Sequence, residues 1–100
     1  MRNIYDIRMT VPLGTRDGTL TFEEHDGQIN GTIEILGHVT EFIGSMNGNI
    51  ITMSGILKTS VRDINYRGSG TIENGIINVK LIDRESTYTL TGTFRKADFS

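Results

Sequence analysis

The sequence predicts an all-β fold: a single-domain, eight-stranded antiparallel up-and-down meander barrel with inward glycines and essentially no helix. Three observations carry this. Apolar residues recur at period two along the whole chain, and no segment sustains the 3,4 spacing of a helix. Turn dipeptides divide the chain at intervals of roughly a dozen residues. Phrases such as INGTI, FIGSM, MSGIL and LTGTF place a glycine in the middle of one strand after another. Isoleucine and threonine, both β-branched, dominate the composition, and proline occurs once.

The elements follow in order. Strands are expected over 3–13, 18–25, 28–36, 38–46, 49–57, 63–73, 76–83 and 86–95. They are separated by turns at Gly14 to Gly18, Asp26-Gly27, Leu36-Gly37, Asn47-Gly48, Lys58 to Asp63, Asn74-Gly75 and Asp83 to Ser86. Asn-Gly and Asp-Gly are strong hairpin formers because a type I′ turn needs positive φ at both central residues. Short connections make neighbours in sequence neighbours in space.

The dipeptide turns also set a register. Around Asp26-Gly27, Phe22 faces Gly31; around Asn74-Gly75, Gly70 faces Val79; around Asn47-Gly48, Phe42 faces Met53 and Gly44 faces Ile51. Glycines thus share a face with large apolar residues. That face takes in Tyr5, Ile7, Met9, Leu20, Phe22, Ile29, Ile33, Ile35, Phe42, Met46 and Ile51. It continues through Met53, Leu57, Ile64, Tyr66, Ile72, Ile77, Val79, Leu81, Tyr88, Leu90 and Phe94. The opposite face is polar, most plainly in Thr87, Thr89, Thr91 and Thr93. A sheet with one dry face and no helix to cover it must curl onto itself or pack as two layers. Closure removes both edges, and neither terminal strand carries edge-protecting lysines, so a barrel is expected over a sandwich.

Shifted by 48 positions, residues 26–46 lie over residues 74–94: Gly27 meets Gly75, Ile29 meets Ile77 and Gly44 meets Gly92. Residues 1–100 therefore read as one domain with an internal repeat of two four-stranded halves, about 1–48 and 49–96. Meander strands, hairpin turns and inward glycines together resemble the calycin-type barrels of lipocalin and avidin architecture. The resemblance is architectural; the Gly-x-Trp of lipocalins has no counterpart in a chain without tryptophan. It implies an interior or barrel-mouth binding site.

Composition narrows the chemistry. There are 10 basic and 12 acidic side chains, and the basic ones are scattered, so neither nucleic acid nor a membrane is an expected partner. The absence of cysteine removes disulfides, thiolate nucleophiles and thiolate metal sites, and with it a cytoplasmic location is expected. In FEEHD, alternation sends Glu23 and His25 to one side and Glu24 to the other, so no metal site and no cofactor is expected.

Candidate ligand contacts are His38 and Thr40, at a polar mouth beside Leu57 and Gly55, and the inward tyrosines Tyr5, Tyr66 and Tyr88. A candidate subunit contact is the outer group Val39, Ile43, Ile50 and Ile56, with Val39 expected opposite Ile56. Three functions follow from these residues. The first is a non-catalytic barrel binding a small apolar or aromatic molecule in its interior or mouth. The second is an interaction module that self-associates as a homo-oligomer and takes no ligand. The third is a barrel enzyme of isomerase or cyclase type, resting on His38 and the tyrosines.

Overall fold

The computed structural model describes residues 1–11, 14–59, 62–84 and 86–98. Eight strands form one closed antiparallel barrel in the order β1 to β8. They are β1 (Arg2–Val11), β2 (Gly14–His25), β3 (Gln28–Ile35), β4 (His38–Asn47), β5 (Ile50–Lys58), β6 (Asp63–Glu73), β7 (Ile76–Asp83) and β8 (Ser86–Asp98). Closure comes from β1 pairing with β8, from Arg2 opposite Asp98 to Thr10 opposite Thr89. No helix is present among the described residues. The barrel, and not the sandwich, is the answer to the uncovered dry face.

Alternation placed the core well. Of the residues expected inside, only Met46 and Ile72, which are half-buried, and Phe94, which is 44% exposed, fall outside the buried set. Phe94 lies at the end of the barrel, with its ring edge-on to Tyr5 at 5.5 Å between centroids. The inward glycines face large side chains on both sides. Gly31 stands between Phe22 and Phe42, Gly44 between Ile29 and Met53, and Gly55 between Phe42 and Tyr66. A β-carbon on Gly31 would run into the Thr21 carbonyl oxygen and stand 2.8 Å from Phe22 Cα. The walls are therefore coiled too tightly at this point for any side chain.

Two stretches differ from expectation. Residues 14–18 are strand, not turn, and pair back onto β1 from Val11 opposite Gly14. Residues 12–13, between the two strands, lie outside the described residues. At the β4–β5 hairpin the loop is Gly48-Asn49, so Gly44 faces Met53 and Phe42 faces Gly55, two residues off the expected register. Type I′ hairpins need both loop residues at positive φ, as at Asp26 (+53°) and Gly27 (+83°). Here Gly48 alone has positive φ, +63°, as in a turn with glycine first. Asn49 is also held from outside: its carbonyl accepts from Ile72 N at 2.8 Å and its amide donates to Glu73 Oε1 at 3.1 Å.

Adding 48 to the partners in β1–β2, β2–β3 and β3–β4 gives the observed partners in β5–β6, β6–β7 and β7–β8. Asn3 opposite Phe22 becomes Ile51 opposite Gly70, and Gln28 opposite Ser45 becomes Ile76 opposite Thr93. Two end-of-barrel bonds match as well, Met46 N to Gly27 O at 2.8 Å and Phe94 N to Gly75 O at 2.7 Å. At matched pairs the glycine changes sides: Phe22 with Gly31 becomes Gly70 with Val79, and Ile7 with Gly18 becomes Gly55 with Tyr66. The remaining junction breaks the rule. β8–β1 is two residues off β4–β5, and a register shift sits at Ile4/Tyr5.

Candidate functional site

The residues proposed for a mouth do not converge. His38 opens β4, pairs with Ile35 and is exposed. The β4–β5 register, continued, brings Leu57 level with Thr40 and not with His38. Thr40 is half-buried. Tyr88 lies at the same end as His38, buried, and its hydroxyl accepts from Arg62 Nη2 at 3.2 Å. Tyr5 is near the opposite end, stacked on Phe22 at 6.0 Å between centroids. Tyr66 lies between, opposite Gly55, and its buried hydroxyl has no hydrogen-bond partner among the described residues. Burial raises the pKa of Tyr66 and, less deeply placed, of Tyr5. At neutral pH both are uncharged phenols, and Tyr66 acts as core packing with one unmet donor.

No three His, Cys, Asp or Glu side chains stand together as a metal site among the described residues. His25 and Glu24 are exposed at the β2–β3 turn, where alternation separates them.

The outer wall is different. Val39, Ile43, Ile50 and Ile56 are 62%, 66%, 57% and 41% exposed. The shifted hairpin changes their neighbours: Val39 does not face Ile56, Ile43 faces Ser54, and the same register brings Glu41 level with Ile56. Sequence reading missed Ile82, which is 52% exposed on β7. Its place opposite Arg67 was derivable from the Asn74-Gly75 turn, whereas the full row Ile43, Ser54, Arg67, Ile82 follows only from the observed β4–β5 register.

Grooves run beside this row. One of about 490 Å³ is lined by Glu41, Ile43, Ser54, Ile56 and Lys58 over Gly55. A larger one of about 920 Å³ runs between Ile43 and Ile82 over Gly44 and Gly68. Its floor is small and polar: Ser45, Thr52, Ser54 and Ser69, with Ser45 Oγ and Thr52 Oγ1 sharing a hydrogen bond of 2.7 Å. Both grooves lie where an inward side chain is missing and the wall draws in. The glycines that permit closure therefore also shape the exterior.

Charges around these grooves are divided by β5. On β3 and β4 the outward charges are Glu34 and Glu41; on β6 and β7 they include Arg67 and Lys80. Asp63 is paired with Lys58 at 3.2 Å and Glu73 accepts from Asn49. Glu41 and Arg67 are exposed and make no ion pair or side-chain hydrogen bond among the described residues.

The chain matches no family model, and no curated protein or solved structure is detectably similar to it.

Proposed function

We propose that this chain is a non-catalytic, calycin-like barrel that works as a self-associating module, its second copy docking on the outer wall of β4–β6. The observation that carries the reading is the exposed row Ile43–Ile82 with a groove on each side of Ile43. A ridge and a groove on one face make that face complementary to itself, as an isologous contact requires. Exposed isoleucines scattered singly mean little, whereas a contiguous group flanking grooves marks a contact surface.

Light scattering over a concentration series tests it. The wild-type chain is expected to reach dimer mass at micromolar concentration, and Ile43→Glu to stay monomeric with an unchanged circular-dichroism spectrum. A wild-type monomer at high micromolar concentration overturns the reading.

Binding of a small apolar molecule is the second reading, favoured by the buried Tyr66 hydroxyl, which has no partner among the described residues. A thermal-shift series with fatty acids, flavins and aromatic dyes tests it. Stabilisation that disappears in Tyr66→Phe supports it; no stabilisation by any of them sinks it.

A further inference from the structure

We infer that the second copy docks across a two-fold axis running over β5, with Glu41 of each copy against Arg67 of the other. This rests on the self-association reading and specifies its geometry.

The argument begins with placement. Ile43 on β4, Ser54 on β5 and Arg67 on β6 are direct neighbours in one row. Ile56 and Asn65 are neighbours in the next row, which Glu41 joins on the β4 side. Glu41 and Arg67 therefore flank β5, one strand to either side and one row apart. In an isologous contact, a residue on one side of the axis meets the image of the residue on the other side. An axis halfway between Glu41 and Arg67 brings them together twice. The same axis passes close to Ile43 and Ile56, so each isoleucine meets its own copy and the apolar contact lies between the two charge pairs.

Electrostatics selects this placement. Neither side chain has an ion-pair partner among the described residues, so pairing between copies breaks none of the ion pairs seen there. Further out, Glu34 on β3 and Lys80 on β7 repeat the arrangement of acid on one side and base on the other. A two-fold axis running along β5 itself sets Glu41 against Asn65 and Ile43 against Arg67, and forms neither charge pair.

Charge reversal is the test, read by sedimentation equilibrium. Glu41→Arg alone sets arginine against arginine at both ends, and Arg67→Glu alone sets acid against acid. Each is expected to weaken association by about tenfold or more. The double variant E41R/R67E is expected to return to within a few-fold of wild type. Mixing the two single variants is expected to give a heterodimer, because every pair is then opposite in charge. Thermal melts of the single variants confirm that each is folded. Dimers that survive both single reversals, or single variants that stay apart on mixing, overturn the axis while leaving self-association standing. A wild-type chain that never associates overturns both.

Discussion

Tyr66 and Gly55 face each other across β5 and β6, and the phenol lies over the bare backbone: a β-carbon on Gly55 would stand 3.0 Å from the Tyr66 hydroxyl oxygen. That hydroxyl is buried without a partner among the described residues. An unmet buried donor costs about 1–3 kcal/mol. Tyr66→Phe keeps the ring and removes the cost, so it is expected to stabilise the fold by about 1 kcal/mol, or about 4–8 °C in melting temperature. The pH dependence has a definite sign. Burial raises the folded pKa of Tyr66 above its ordinary 10.0. Below that value both states hold the proton; above it the unfolded chain releases one that the folded chain retains. Stability therefore declines as pH rises past about 10, and Tyr66→Phe flattens part of the decline. Urea melts at neutral and alkaline pH check both statements.

The inward glycines answer to space and the turn glycines to backbone angle, and the two respond differently to alanine. A β-carbon on Gly44 would run into the Thr52 carbonyl oxygen and lie 2.9 Å from Met53 Cα. Both are backbone atoms of a paired strand, so the wall itself must move. Gly44→Ala is expected to cost about 3 kcal/mol, at the upper end of overpacking. Gly37 has nothing within 4 Å of its missing β-carbon, but its φ is +78°. Gly37→Ala carries only the left-handed penalty, about 1–2 kcal/mol. Chemical denaturation of the two variants should rank them in that order; equal losses would mean that the crowding at Gly44 is relieved by relaxation.

What could be read from the sequence was decided by period two. Alternation depends only on residue order, so it placed Leu20, Ile51 and Leu90 inside without knowledge of any partner strand. Register needs the turn as well, and Asn47-Gly48-Asn49 offers two loops of equal length. The observed loop is the one in which Asn49 accepts from Ile72 N and donates to Glu73, on a strand more than twenty residues away, which no local motif announces. The outer contact was half legible for the same reason. Ile43 and Ile56 stand out in any alternating pattern, but their neighbours Ser54 and Glu41 follow only from the true register.

The seam between β8 and β1 is bridged by Arg95, whose Nε donates to Asp6 Oδ1 at 2.9 Å and whose Nη2 reaches Thr19 Oγ1 at 3.4 Å. The hydrogen bond from Arg95 holds the Asp6 carboxyl below the usual carboxylate range, assisted by its charge. A depressed folded pKa gives stability that is present above the unfolded pKa, about 3.9, and lost as pH falls through the folded one. Asp17 behaves alike through Arg8. Both pairs are exposed, so the effect is small and screened by salt. Asp6→Asn is expected to lower the melting temperature near neutrality and to narrow the gap between that value and the one at about pH 2. An unchanged gap at low salt would show that the bridge contributes nothing to closure.

The matched registers of the two halves bear on where the chain can be cut. Three of the four kinds of strand junction repeat at a shift of 48, and the exception is the seam that the chain ends must close, β8–β1. Its counterpart is the β4–β5 hairpin, joined by Gly48-Asn49. If the halves are equivalent units, the seam and the hairpin can exchange roles. The ends are already adjacent, with Arg2 opposite Asp98. A circular permutant joined there by a short linker and opened between Gly48 and Asn49 is expected to keep its sheet spectrum and melt cooperatively. Some stability should go with the hairpin, because strand pairing at the new ends is no longer tethered. The comparison that decides is a second permutant opened between Asp26 and Gly27, which cuts within a half. It is expected to be the less stable of the two. Equal melting temperatures would show that register repetition carries no independence of the halves, and that the barrel folds as one undivided ring.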